Sequence, residues 1–186
     1  FTVVIQSGAI LAVIWFYRHD LMQKVRGLIA QDPKVVRFWQ AWILATIPAG
    51  LAGFMLHDQI SKYAISRTVA IALIIGGVVI WLIETFHKAA KVRTAGANLD
   101  SITLVQAAKI GLFQILALIP GVSRSGATIM GGLLSGMDRV TATAFSFYLS
   151  IPILVAAGIY QMATGYDELD TVAGGGLAIL AGAAAA

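Results

Sequence analysis

Long apolar stretches limit what this chain can fold into more than any other feature of its sequence. The stretch from Thr68 to Phe86 contains one charged side chain, Glu84, and the stretch from Phe38 to Leu56 contains none. A helix needs about 20 apolar residues to cross the hydrocarbon core of a bilayer, which is about 30 Å thick. The chain is 59% hydrophobic and 12% charged, whereas soluble domains carry about 25% charged residues. The sequence therefore predicts an integral membrane protein.

Several stretches are predicted to span the membrane. Residues 1–17, 38–56, 68–86 and 142–164 are apolar enough, and residues 171–186 begin a further span. None shows the alternating pattern of a barrel strand, so the predicted fold class is an all-α polytopic membrane protein. We expect one integral-membrane domain over residues 1–186, built as a transmembrane helix bundle. The start at Phe1 and the alanine run at the end suggest a fragment.

Charge and cysteine usage exclude some classes of function. The net charge of +4 is modest and forms no patch typical of nucleic-acid binding, so no nucleic-acid partner is expected. The absence of cysteine excludes disulfides and thiolate metal sites.

The basic residues between the predicted spans indicate the orientation of the chain. Cytoplasmic loops of membrane proteins carry an excess of Lys and Arg. Residues 18–37 and 87–100 are richer in them than residues 57–67, which contain only Lys62 and Arg67. We therefore predict that the first two segments are cytoplasmic and the third external.

Residues 101–136 are predicted to form a re-entrant helix hairpin. Pro120-Gly121 and Gly126 interrupt an otherwise apolar stretch. If the stretch crossed the membrane, the acidic loop at residues 166–170 would lie in the cytoplasm, against the charge bias; if it returns, that loop lies outside. The arm from Gly126 to Ser135 would be about 15 Å long, half the hydrocarbon thickness. The turn is therefore expected near the midplane, lining a polar cavity.

The turn from Pro120 to Thr128 reads Pro-Gly-Val-Ser-Arg-Ser-Gly-Ala-Thr. An arginine near the bilayer centre costs at least ~2.5 kcal/mol, and such a charge usually indicates function. Backbone N–H groups at a helix N-terminus favour an anion. Glycines permit unusual φ values and close approach, and hydroxyls and a guanidinium donate to phosphate oxygens. The residues expected to bind and process a phosphate or diphosphate are Arg124, Ser123, Ser125 and Thr128, with Gly121 and Gly126.

Structural explanations remain open for several of these residues. Arg124 could instead pair with a carboxylate such as Glu84 and hold two helices together. Gln114 needs a hydrogen bond in lipid, and it is assigned to substrate binding with packing as the alternative. Gln106 and Lys109 share a polar stripe.

Small residues elsewhere are interpreted as helix-packing faces. They are Gly76 with Gly77, Ala49 with Gly53, and Gly132 with Gly136.

The turn and its surroundings resemble a known family. Together with the preceding Gly111-Leu112-Phe113-Gln114-Ile115-Leu116-Ala117-Leu118, the turn is similar to the signature of the bacterial undecaprenyl-diphosphate phosphatases, which are associated with bacitracin resistance. Residues 1–11 and Phe145-Ser146-Phe147 near Pro152 also resemble that family. The resemblance covers nearly the whole chain.

This resemblance implies an enzyme of the bacterial inner membrane that hydrolyses a C55 isoprenoid diphosphate to the monophosphate and recycles the carrier for cell-wall synthesis. It also implies two re-entrant hairpins related by an inverted repeat, a site open to the periplasm, and a divalent cation, Mg or Ca. The family's first hairpin has a glutamate-rich motif and a Ser-Ser-Thr-Gly-His-like turn, and neither occurs here. No metal ligand is therefore assigned in this chain, and its residues alone are expected to be inactive.

Other functions remain as alternatives. Broken helices that meet at the midplane also build anion sites in transporters, so a transporter or flippase for a phosphorylated lipid is the second hypothesis. An acid-phosphatase-like lipid phosphatase is excluded. That class has a histidine six residues after the arginine of its Ser-Arg motif, and the residue six positions after Arg124 is Met130. The expected partners are the isoprenoid diphosphate substrate and membrane lipids, and a homodimer is left open.

Overall fold

A computed structural model of the chain describes residues 11–86 and 97–164, and the regular structure in these ranges is helical without strands. This confirms the predicted all-α class. Residues 11–16 are helical and precede the first labelled helix, and a 3₁₀ turn, Leu99–Ser101, precedes the fourth. The helices are α1 (Arg18–Ile29), α2 (Pro33–Tyr63), α3 (Ser66–Phe86), α4 (Leu104–Leu116), α5 (Arg124–Leu134) and α6 (Arg139–Thr164).

Among the described residues, three helices are long and apolar enough to cross a membrane. The candidate spans are Pro33–Ile60 in α2, Ser66–Phe86 in α3 and Arg139–Ala156 in α6, where the sequence predicts spans at 38–56, 68–86 and 142–164. The predicted span at 171–186, and most of that at 1–17, lie outside the described residues. The apolar side chains of α3 are largely exposed, as expected for a helix that faces lipid.

The described residues fall into two compact units. Ala30–Leu149 forms one unit, and the described residues before and after it belong to the other. The candidate site lies in the unit Ala30–Leu149, which is therefore described below.

Aromatic side chains join α2 to α6. Phe38 is buried and packs edge-to-face on Phe145 and Tyr148. Trp42 Nε1 donates to the carbonyl of Tyr148 at 3.0 Å. Because Pro152 has no backbone N–H, it cannot bond that carbonyl within the helix. The indole therefore satisfies a carbonyl that proline leaves open.

The helices α4 and α5 form an antiparallel hairpin. Gln106, near the start of α4, donates from Nε2 to the carbonyl of Ser135, which follows α5, at 3.2 Å. Midway along the arms, a Cβ on Gly131 would lie 2.8 Å from the Phe113 side chain. The arms contain 13 and 11 residues, about 20 and 17 Å of helix. Each arm is therefore too short to cross a bilayer alone.

Side-chain hydrogen bonds fix the start of this hairpin. Thr103 and Gln106 form a capping box, in which each side chain accepts from the other residue's backbone N–H. Of the two residues in the predicted polar stripe, Gln106 caps the helix and Lys109 is exposed.

The small-residue packing faces are partly as predicted. A Cβ on Gly132 would lie 2.8 Å from the Ala142 Cβ, so α5 approaches α6 closely there. Ala49 is buried, and a Cβ on Gly53 would make ordinary contact with Leu118.

Three glycines differ from that prediction. Within residues 11–86 and 97–164, no atom lies within 4 Å of a Cβ on Gly136, and its φ of +82° is that of a left-handed residue that ends a helix. For Gly76 and Gly77, no atom of the described residues lies within 4 Å of the Cβ position, so the predicted packing face is not seen in this part of the chain.

Candidate functional site: the turn between α4 and α5

Gly121 lets the turn lie directly against α3. Its φ is +98°, and a Cβ at this position would lie 2.6 Å from the Val69 carbonyl oxygen and 2.8 Å from the Val69 Cα. Both the backbone conformation and the close approach require glycine. The unusual φ and close contact expected for Gly121 are confirmed.

Ser123 begins α5. Its Oγ accepts from the Gly126 N–H at 3.1 Å and lies 3.2 Å from the Ser125 Oγ, and both serines are exposed. Ser123 is thus an N-cap, whose remaining hydrogen-bonding capacity faces outward together with Ser125.

Gly126 is the residue where the turn differs from expectation. It lies within α5 and does not have a positive φ, so the predicted unusual φ is wrong for it. The approach is close, since a Cβ would lie 3.2 Å from the Ile80 Cδ1 and from the Ser123 Cβ. The lack of a side chain at Gly126 therefore allows the start of α5 to approach α3 closely.

The first turn of α5 presents two open backbone donors. The Gly126 N–H bonds the cap, and the Ala127 N–H bonds the Ser123 carbonyl at 2.9 Å. Within the described residues, the N–H groups of Arg124 and Ser125 make no hydrogen bond. Open N–H groups at a helix start, together with the helix dipole, favour an anion.

Arg124 adds a guanidinium to these donors. It is partly buried, and among the described residues its Nη1 has no hydrogen-bond partner although the atom is buried. The alternative that Arg124 pairs with Glu84 is wrong, because Glu84 accepts from Arg139 Nη1 at 2.5 Å. A buried donor on a cation is costly without an acceptor. An anion bound at this turn would supply one.

Thr128 lies apart from the exposed donors. It is 2% exposed, and its Oγ1 donates to the Arg124 carbonyl at 2.9 Å and lies 2.7 Å from the Ser146 Oγ of α6. This placement favours a role in holding the turn. Ser146 lies in the Phe145-Ser146-Phe147 segment that resembles the family, but no spacing signal in the sequence connects it to Thr128, 18 residues earlier.

Gln114 lies in the contact between α4 and α2. It is 1% exposed, and its Nε2 donates to the Ala45 carbonyl at 3.3 Å, while Oε1 is buried without a partner among the described residues. The amide thus packs against α2 with one open acceptor. A Cβ on the neighbouring Gly111 would lie 2.9 Å from the same carbonyl, which shows how closely the helices meet.

The residues of this turn do not suit a divalent cation. Mg²⁺ and Ca²⁺ prefer carboxylate and carbonyl oxygens, whereas the turn presents N–H groups, hydroxyls and a guanidinium. In residues 11–86 and 97–164, no group of three His, Cys, Asp or Glu side chains could hold a metal ion. We therefore derive no chemical step through a metal at these residues.

Comparison of the sequence with known proteins assigns the chain to a family. The sequence model of the family described as bacitracin resistance protein BacA matches residues 1–186. The chain is 43% identical to an undecaprenyl-diphosphatase of Clostridium tetani, over 89% of the chain and 61% of that protein. It is 46% identical to one of Methylobacillus flagellatus, over 87% and 60%, and 40% identical to undecaprenyl-diphosphatase 2 of Shewanella oneidensis, over 92% and 64%.

The match is long in this chain but partial in its relatives. The chain spans about three-fifths of the length of these curated relatives. Because the family model covers every residue from 1 to 186, the resemblance seen in the turn is confirmed, and the chain belongs to the bacitracin resistance protein BacA family.

Proposed function

We propose that the protein hydrolyses undecaprenyl diphosphate to undecaprenyl phosphate and phosphate, with the turn between α4 and α5 holding the diphosphate. The observation that carries this proposal is that, among the described residues, the buried Nη1 of Arg124 and two N–H groups at the start of the same helix, α5, have no hydrogen-bond partner. The relatives named undecaprenyl-diphosphatase support the choice of substrate.

The donors of the turn suit phosphoryl transfer. This reaction depends mostly on positioning and on stabilising charge that spreads over the phosphoryl oxygens. Arg124 would bind two of those oxygens through its planar fork, and the N–H groups of Arg124 and Ser125 would bind another. Ser123 and Ser125 would add hydroxyl donors. Together these groups neutralise charge and orient the diphosphate.

Activation of the attacking group is proposed to come from outside this turn. Residues 120–128 contain no Asp, Glu or His, and these are the usual general bases. The family resemblance implies a divalent cation as well, and we propose that its ligands also lie elsewhere in the protein.

For the membrane, we propose that the α4–α5 hairpin is re-entrant from the cytoplasmic side of the bacterial inner membrane. The short arms support this arrangement, because each reaches about half to two-thirds of the hydrocarbon thickness. The turn would then lie at depth in a polar cavity open to the periplasm. In this position, an isoprenoid chain could remain in the bilayer while its diphosphate reaches Arg124.

Substitution of Arg124 tests the proposed reaction. In the full-length protein, Arg124→Ala is expected to lose most phosphate release from undecaprenyl diphosphate, about a hundredfold or more. Arg124→Lys is expected to recover only part, since an ammonium cannot bind two oxygens in the same way. Arg139→Ala is the matched control, because Arg139 lies outside the turn, at the start of α6, and pairs with Glu84.

Full activity in Arg124→Ala would refute the proposed clamp. The hairpin also permits the second hypothesis, a lipid transporter or flippase with an anion site at broken helices. Counterflow of the lipid diphosphate without phosphate release by the wild-type protein would favour that hypothesis.

A further inference from the structure

Two buried hydroxyls connect α5 to α6 behind the turn. Thr128 is 2% exposed and Ser146 is 5% exposed, and their oxygens are 2.7 Å apart. One helical turn further along α5, Gly132 meets Ala142 of α6. The two contacts show that the helices run antiparallel, with Thr128 facing Ser146 at the end nearer the turn.

The direction of the hydrogen bonds follows from the number of hydrogens. Thr128 Oγ1 lies 2.9 Å from the Arg124 carbonyl oxygen and 3.3 Å from the Ser125 carbonyl oxygen. Carbonyl oxygens only accept, so the single hydroxyl hydrogen of Thr128 is directed towards them. Either hydroxyl could donate across the 2.7 Å contact, but only donation from Ser146 to Thr128 Oγ1 uses both hydroxyl hydrogens, because no other acceptor for Ser146 is found among the described residues. The result is a series of hydrogen bonds that runs from Ser146 through Thr128 to the backbone carbonyl of Arg124.

This series of hydrogen bonds ends on the peptide group that carries an unbonded N–H. The Arg124 carbonyl and the Ser125 N–H belong to one peptide unit, which is planar. A hydrogen bond that fixes the carbonyl therefore also fixes the direction of the Ser125 N–H, one of the two unbonded N–H groups at the start of α5. The same turn of helix carries the Arg124 side chain.

We propose that Ser146 is a positioning residue for the anion site: through Thr128 it sets the direction of the Ser125 N–H and of the Arg124 backbone. The inference rests on the proposed function, in which these donors bind the diphosphate. An apolar residue of similar size could fill the interface between α5 and α6 equally well, but it could not donate to Thr128. The role therefore belongs to the hydroxyl rather than to the volume of the side chain.

The test compares variants of the full-length protein by phosphate release from undecaprenyl diphosphate, at a temperature where all of them are folded. Ser146→Ala is expected to lower kcat/KM about three- to tenfold, the size of effect expected from one hydrogen bond. Ser146→Thr keeps the hydroxyl and is expected to recover most of the loss. Ser135→Ala is the matched control, since the one hydrogen bond found for its Oγ among the described residues is to the Gly131 carbonyl of α5.

A double-mutant cycle separates positioning from general destabilisation. Thr128→Val removes the link but keeps the shape, so Ser146→Ala is expected to cause less than a twofold further loss of kcat/KM in that background. Multiplying losses would overturn the inference, and so would a Ser146→Ala loss no larger than that of Ser135→Ala. If Ser146→Ala does not fold, Thr128→Val compared with Thr128→Ser replaces it, and equal activity of these two would overturn the inference.

The failure of this inference is distinguishable from the failure of the proposed function. If Arg124→Ala retains hydrolysis, the diphosphate clamp itself is wrong. If Arg124→Ala loses hydrolysis while Ser146→Ala behaves like the control, only the positioning role of Ser146 is wrong.

Discussion

At the scale of single residues, two positions of the turn are the most constrained. The backbone and the space at position 121 require glycine, and Arg124 needs an acceptor for a buried donor. Gly121 has a left-handed backbone and a neighbour 2.6 Å from where its Cβ would be. Arg124 has a buried donor without an acceptor among the described residues. The first feature brings the turn against α3, and the second supports the proposal that the turn binds an anion.

Substitution of Gly121 should show both parts of this requirement. Gly121→Ala is expected to destabilise the protein by about 2–4 kcal/mol, because it adds backbone strain and a clash with the Val69 carbonyl. Gly136→Ala, which also has a positive φ but open space around it, should cost only about 1 kcal/mol from the backbone alone. Thermal unfolding in detergent measures both. Equal losses would show that the close approach to α3 is unimportant.

Both residues could be predicted from the sequence because their signals are local. A Pro-Gly break and a charge in an apolar stretch are visible without any partner. The buried placement of Thr128 and its contact with Ser146 could not be predicted, because they depend on the rotation of two packed helices about their axes. A polar residue in an apolar helix shows that a hydrogen bond is needed but not where it goes.

At the scale of elements, the hairpin of α4 and α5 is the part of the fold that positions the site. The sequence predicted a break at Pro120-Gly121 and an arm of half-membrane length, and α5 was found at 124–134. The bond from Gln106 to the Ser135 carbonyl and the contact of Phe113 with Gly131 pair the arms. The bond between Trp42 and the Tyr148 carbonyl was not predicted, because Pro152 reveals an open carbonyl but not its donor.

Single cysteines test whether the hairpin returns to the side it enters. The chain has no cysteine of its own, so Ser101→Cys before α4 and Val140→Cys after α5 each introduce one thiol. Both are expected to resist an impermeant thiol reagent in intact cells and to react after permeabilisation, because the proposed re-entrant hairpin has both ends on the cytoplasmic side. Ala64→Cys, at an exposed position between α2 and α3 in the predicted external segment, should react in intact cells. Labelling of Ser101→Cys and Val140→Cys from opposite sides would mean that the stretch crosses the membrane.

At the scale of the whole molecule, hydropathy and family membership agree on a membrane protein. In the part of the chain that the structure describes, three helices are long and apolar enough to span a bilayer, and the BacA family model matches the whole chain. The sequence predicted this class because apolar length and low charge are properties of the chain as a whole. The groups that complete the chemistry could not be assigned from it, because the turn supplies hydrogen-bond donors but neither a base nor carboxylate ligands.

The central claim is that the turn between α4 and α5 binds a diphosphate, and the affinity for a non-hydrolysable substrate analogue tests it most directly. The probe is an isoprenoid methylenebisphosphonate, and its binding to the full-length wild type, Arg124→Ala and Arg139→Ala is measured by native mass spectrometry. Loss of charged hydrogen bonds predicts that Arg124→Ala binds about 10- to 100-fold more weakly, while Arg139→Ala binds like the wild type. Unchanged affinity in Arg124→Ala would contradict the account.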